Sequence, residues 1–470
     1  MTTVPGVRRA GLRRMPQGIA PWLAAGVAAG ALLGVATAIN PLLGVGVLAV
    51  PGIAWLFLRP QVLPSLLVVT VFAESLELGG LTISRLSGPL AAAIVLAYLV
   101  DRGLPSFPRR EVLWAVTAYA AFALLSSIWT INPDDSFQES GTAFALASLV
   151  LSLVYMASFA ILVETREDLR RLAVTVWFVA VALGIVAIAQ YLAGYERAVA
   201  YSGDANFFAA LQVLALPICL VVASHTDRGG LRVVALLGVG VVVGSVLVTL
   251  SRGGLLALLG VLALIAFQPA RVMFRSAGAK RLALLAVVIG GGALLFAAFS
   301  DLEARGESFF NTAEGGSGRA NLWRAARTGW EEHPLRGMGY GAFPNESTRL
   351  LRQTPGVDFS AYRLRRGGQV AHSAYLGTLA ELGVIGLVLL LLVIASAITT
   401  LRWAGRTARA GPDPIVAAAA QALLIAMAGF LVVSLFLSTE TDRGIWVLLG
   451  MSLALARIAA SPAKMAEAAR

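Results

Sequence analysis

The chain has 470 residues, 58% of them hydrophobic and only 13% charged, with a net charge of +11 and a mean hydropathy of +0.80. Such a composition lies far from the soluble average and excludes a water-soluble globular domain. The single cysteine, Cys219, sits in an apolar run and excludes both a disulfide framework and a thiolate metal site.

In chain order, Arg8, Arg9, Arg13 and Arg14 precede an uncharged stretch over residues 15–58. That stretch is too long for a cleaved signal and has no convincing cleavage site, so it reads as retained. It has room for two helices that turn at Asn40-Pro41, where proline breaks a helix. Residues 60–73 and 86–100 are shorter apolar runs joined by a connection holding Glu74, Glu77 and Arg85, and fit either a shallow re-entrant pair or two full crossings. Nine runs then carry no Asp, Glu, Lys or Arg: 112–131, 141–163, 172–194, 205–224, 233–250, 253–270, 282–300, 382–400 and 414–438. About 20 apolar residues in a helix cross a bilayer and satisfy every backbone group internally. A last run, 444–461, contains Arg457, which is expected to snorkel toward a membrane face. The reading is an all-α polytopic membrane protein of about 12–14 transmembrane helices.

Lys and Arg favour the cytoplasmic side of short loops. With the amino terminus cytoplasmic, the groups around Arg102, Arg166, Arg275 and Arg402 all fall inside. Anionic headgroups, rather than nucleic acid, are the natural partners of that charge. Residues 1–300 form amino-terminal helices, 301–371 one long outer loop, and 372–470 carboxy-terminal helices.

The outer loop holds ten arginines, at 305, 319, 324, 327, 336, 349, 352, 363, 365 and 366. They fit a solvated loop among headgroups or a site for an anion, since guanidinium suits phosphate oxygens bidentately. Elsewhere on the outer side stand Arg85, Arg197, Arg252 and Arg443. Arg252, in Ser251-Arg252-Gly253-Gly254, is the only charge between residues 233 and 270. It faces a polar cavity or bound anion, or it snorkels from a hairpin turn. Residues 318–330 have helical spacing, with Arg319, Trp323, Ala326 and Trp330 on one face and Arg324 and Arg327 solvated. Gly337, Gly339 and Gly341 mark a tight turn and not a dinucleotide fingerprint, since no strand precedes them. His372 opens the returning helix, followed by Tyr375 and Glu381. An interfacial histidine serves as a general base or as a hydrogen-bonded structural residue.

The order of these motifs resembles the O-antigen ligase and polymerase superfamily of bacterial membrane glycosyltransferases. The matching residues are Asp204-Ala205-Asn206-Phe207-Phe208-Ala209; Ser251 to Gly254; Gly318-Arg319 with Leu322-Trp323; His333-Pro334-Leu335 with Gly337, Gly339, Gly341 and Phe343; and His372 with Tyr375, Leu376, Glu381 and Gly383. The resemblance covers about residues 200 to 400. It departs at Ser373, where the family often has Asn, and at Ala205, where it often has Pro. It implies a type C glycosyltransferase-like fold in the bacterial plasma membrane with an outward-facing site and no metal or other cofactor. The implied donor is a glycan on undecaprenyl pyrophosphate, and the acceptor is lipid A core or another glycan. By motif, Arg252 and Arg319 would hold the donor pyrophosphate and His372 would act on the acceptor. Arg197, Asp204, Asn206, His333, Tyr375 and Glu381 are further substrate-binding candidates. Alternatives are a repeat-unit polymerase, a protein O-glycosyltransferase, a metal-dependent relative using Asp134-Asp135 or Glu440-Thr441-Asp442, and a lipid-linked glycan transporter.

Overall fold

The computed structural model describes residues 51–78, 81–131, 141–297, 319–357, 368–411, 413–439 and 442–468. The helices expected over residues 15–50, the carboxylates Asp134, Asp135 and Glu440, and Arg305, Arg363, Arg365 and Arg366 lie outside these. Two compact units divide after Arg59. In the first, residues 51–58 are helical.

The second unit opens with α1 (Leu63–Phe72), a two-residue hairpin of β1 (Glu77–Leu78) and β2 (Leu81–Thr82), and α2 (Ile83–Arg102). Helices α3 (Glu111–Leu125), α4 (Thr142–Leu162), α5 (Arg166–Leu192), α6 (Ala205–His225), α7 (Gly229–Val248) and α8 (Arg252–Phe267) follow. After the short α9 (Ala270–Met273) come α10 (Ala277–Ala297), α11 (Arg319–Glu332) and α12 (Phe343–Gln353). The chain closes with α13 (Ala374–Ala410), α14 (Pro414–Val433) and α15 (Arg443–Ala468).

Eight helices among the described residues, 19 to 37 residues long, are long and apolar enough to cross a membrane. Large apolar side chains such as Phe178, Leu237, Val388 and Leu391 are exposed on them, as a hydrocarbon solvent permits and water does not. At 10 and 16 residues, α1 and α8 are shorter than the roughly 20 that span a bilayer. The most enclosed span is α6, which packs against α5, α7, α8 and α14.

Local chemistry fixes several boundaries. α5 begins six residues before the uncharged run, because Thr165 and Asp168 form a capping box. Arg457 is engaged within the protein. Its guanidinium donates to the carbonyls of Ala160 and Ile161 (2.6 and 3.0 Å) and to Glu164 (2.9 Å), closing the carboxy-terminal end of α4.

α13 is broken at Gly383, whose φ of 64° and ψ of −165° are non-helical. The turn between α11 and α12 takes up the backbone groups freed by that break. Met338 and Gly339 donate to the carbonyls of Ala380 and Glu381 (3.0 and 2.8 Å), while Val384 and Ile385 donate to those of Pro334 and Leu335 (2.9 and 3.2 Å). Irregular backbone at membrane depth persists only when satisfied in this way. The approach explains the glycines: a Cβ on Gly337 would lie 2.2 Å from the Glu381 carbonyl, and one on Gly383 2.3 Å from the Leu335 oxygen. The loop elements α11 and α12 are thereby sewn to the start of α13 around Leu322, Ala326, Met338, Phe343 and Leu350.

Candidate active site

The site begins where α6 and α8 start side by side. Asp204 caps α6, its Oδ1 accepting from the amides of Asn206 (2.8 Å) and Phe207 (2.9 Å). Ala205 takes the first helical position, which also tolerates proline. Ser251 caps α8, accepting from Gly254 N–H (3.2 Å) and donating to Asn206 Oδ1 (2.9 Å). Arg197 reaches the same Asn206 oxygen (2.9 Å) and the Thr249 carbonyl (3.1 Å). One amide oxygen thus ties three chain segments together. A Cβ on Gly254 would sit 2.6 Å from that of Ala209, and one on Gly253 3.2 Å from that of Phe436, so Gly-Gly lets α8 start against both neighbours. Arg252 is the first residue of α8.

Arg319 opens α11 and is half-buried. Burial pushes its guanidinium below the ordinary range. Asp204 opposes that shift, and the nearby charges of Arg197 and Arg252 add to it. Three guanidiniums and one carboxylate therefore converge at the entrances of α6, α8 and α11.

His372 lines a cavity shared with Asp204. Its backbone is left-handed (φ 51°), a conformation that non-glycine residues seldom adopt. Its carbonyl accepts from Trp323 Nε1 (3.4 Å), and the Trp323 ring lies 6.1 Å from that of Phe436. Ser373 caps α13, accepting from Leu376 N–H, a task Asn performs equally well. A cavity of about 210 Å³ runs between Asp204, Tyr340, Gly341, His372, Glu381 and Ser438.

The other candidates separate. Both carboxylate oxygens of buried Glu381 accept backbone amides, from Gly341 (2.8 Å) and Phe343 (3.2 Å), so it holds the glycine turn while lining the cavity. Tyr375 donates to the Leu431 carbonyl (3.1 Å) and faces α14 rather than this cavity. His333 follows the carboxy-terminal end of α11, about 20 Å of helix from Arg319. The buried face of α11 is Leu322, Ala325, Ala326 and Gly329, with Trp323 and Trp330 at its margins instead of its centre.

Four further described loop arginines are engaged elsewhere. Arg324 bonds Pro355 O, Arg327 pairs with Glu331, Arg336 lies over the Trp129 ring, and Arg349 joins Glu332 to Glu346. Thr249, Tyr340 and Ser438 enter the site unforeseen. Tyr340 lay within the quoted glycine turn, and Thr249 two residues before Ser251, but neither type carries a signal of its own.

Residues 233–391 match the model of the family described as O-antigen ligase. Over this segment, from within α7 to within α13, the chain is similar to that family. The segment contains Arg252, Arg319, His333, His372, Tyr375 and Glu381, whereas Arg197, Asp204 and Asn206 precede it and join the matched segment through the contacts above. No curated protein matches the chain.

Proposed function

We propose that this protein is a glycosyltransferase of the bacterial plasma membrane. It moves a glycan from undecaprenyl pyrophosphate to an acceptor hydroxyl on the outer face. The observation that carries the reading is the convergence of Arg319 with Arg197 and Arg252, where burial and like charge both disfavour the cationic form of Arg319. A bound pyrophosphate relieves that repulsion, and its oxygens accept from planar guanidiniums bidentately.

The acceptor oxygen attacks the anomeric carbon as the bond to the pyrophosphate oxygen breaks, and the electron pair leaves with undecaprenyl pyrophosphate. The arginines stabilise the charge that grows on the leaving group. His372, on the cavity wall, takes the acceptor proton. One displacement inverts the anomeric centre, and the guanidiniums supply the positive charge for which a metal-dependent relative would use a cation. Acceptors are lipid A core for a ligase, or a second lipid-linked glycan for a polymerase.

The broken helix α13 favours a second reading, transport of a lipid-linked glycan, because transporters bind substrate at discontinuous helices. Here, however, the groups freed at Gly383 bond the α11–α12 turn and are spent within the protein. The test is transfer by purified protein from a synthetic undecaprenyl-pyrophosphate oligosaccharide with chelator present. Wild type is expected to yield product of inverted configuration, and Arg252→Ala, Arg319→Ala and His372→Ala to lose at least about 100-fold in transfer while still folding. Retained configuration, or dependence on a divalent ion, would refute the mechanism. Movement of the intact lipid between leaflets without bond cleavage would favour the transporter.

A further inference from the structure

A cavity of about 380 Å³ has no part in that chemistry. It lies at the opposite end of α8 from Arg252, where Leu264 and Gln268 meet α13 and α14. At 16 residues, α8 separates the two by about 24 Å. The volume falls within the roughly 300–1,000 Å³ typical of ligand pockets.

Its mouth and its walls differ in character. Arg402, Arg406 and Arg409 recur at intervals of four and three residues, on one face of α13, and all three are exposed. Among the described residues no carboxylate pairs with any of them. The nearest acid in sequence, Asp413, is held by Arg166 at 2.5 Å. Gly405 lies beneath the cluster: a Cβ there would lie 3.8 Å from both terminal nitrogens of Arg409 and 3.4 Å from the Ala420 side chain, in ordinary contact. The Arg409 guanidinium therefore folds back along the helix over the groove. Beyond Ala420, the wall formed by Leu424, Ile425, Ala428 and Leu431 is apolar. From Ala420 to Leu431 an α-helix rises about 16 Å. That matches one leaflet of a hydrocarbon core about 30 Å thick.

We propose that this groove binds one anionic glycerophospholipid from the leaflet opposite the catalytic cluster. Its phosphodiester sits on Arg402, Arg406 and Arg409, and an acyl chain lies along α14. Free phosphate would satisfy the arginines but leaves the apolar wall unexplained. A zwitterionic lipid would fill the wall but leaves three guanidiniums without an excess of negative charge.

Native mass spectrometry of the delipidated, full-length protein tests this. Phosphatidylglycerol, phosphatidylcholine and glycerol phosphate are titrated against wild type, Arg402→Gln/Arg406→Gln/Arg409→Gln, Gly405→Leu, and the control Arg271→Gln/Arg281→Gln on exposed arginines outside the groove. The expected result is one tightly held phosphatidylglycerol, at least tenfold preferred over phosphatidylcholine. The triple variant and Gly405→Leu lose it, and the control keeps it. Three results overturn the proposal: equal binding of glycerol phosphate, equal loss in the control, or retention in the triple variant. Gly405→Leu leaves the arginines in place, so loss of lipid there separates docking in the groove from general surface charge.

Discussion

Two kinds of arginine stand on the same loop, and both burial and partners distinguish them. Arg349 is clamped between Glu332 (2.8 Å) and Glu346, and these partners stabilise its charge and raise its proton affinity. Arg319, at the far end of the same helix pair, has its proton affinity lowered by burial and by two neighbouring guanidiniums. A neutralised arginine fastens one element to another. On the proposed function, a crowded one holds positive potential for the anionic donor.

The sharpest way to break that comparison is to remove each in turn. Arg319→Ala is expected to cut glycan transfer about 100- to 1,000-fold, as loss of one transition-state donor does, with the melting temperature unchanged or higher because repulsion is relieved. Arg319→Lys keeps the charge but not the fork, and its transfer rate should fall between those of wild type and alanine. If Arg319→Ala unfolds the protein, the two arginines are of one kind after all.

The next effects are on stability. Arg457→Ala strips two carbonyls and Glu164 of a largely buried charged donor. It should cost roughly 1.5–3 kcal/mol, read as a lowered unfolding temperature in detergent. Arg349→Ala removes an ion pair about one-third exposed on both sides. Its cost should be about 1 kcal/mol or less, with transfer changing by less than tenfold.

The smallest effect is expected at Asp442, beside the ion pair of Arg443 with Glu74. Burial pushes its carboxyl up to about 7. The Gly444 amide works against that, Glu74 adds to it, and Arg443 opposes it. A carboxyl whose folded value exceeds its unfolded one binds its proton more tightly when folded. Its contribution to stability is therefore complete below about pH 4 and is lost as pH rises toward 7. Asp442→Asn keeps the oxygen that accepts from Gly444. It should melt higher than wild type above pH 7 and together with it near pH 4. A difference that does not vary with pH would mean that the Asp442 charge is tolerated.

The spans were legible because a helix in hydrocarbon needs a long uncharged run and little else, as in α6, α7 and α14. What escaped depends on a second segment. Gly383 reads as an ordinary glycine until Pro334 to Gly339 arrives to bond the break. Arg457 stands as a lone charge in an apolar run because the Ala160 and Ile161 carbonyls that it bonds are remote in sequence. On α11 the aromatic residues drew the expected face toward Trp323 and Trp330. The observed one centres on Ala325, Ala326 and Gly329, where small residues admit Met338 and Leu350. In the site, Arg252, Arg319 and His372 were marked by their motifs. The separation of Tyr375 and His333 from them follows from side-chain direction and helix length, which spacing alone does not give.

The most direct test of the division between a phosphate-holding cluster and a proton-accepting histidine separates donor binding from transfer. Affinity for undecaprenyl-pyrophosphate oligosaccharide would be measured without acceptor for wild type, Arg319→Gln and His372→Ala, and turnover then measured on the same preparations. The account predicts that Arg319→Gln loses at least tenfold in donor affinity, whereas His372→Ala binds donor like wild type and loses at least about 100-fold in transfer. Wild-type donor affinity in Arg319→Gln, or an equal loss of affinity in His372→Ala, would contradict it.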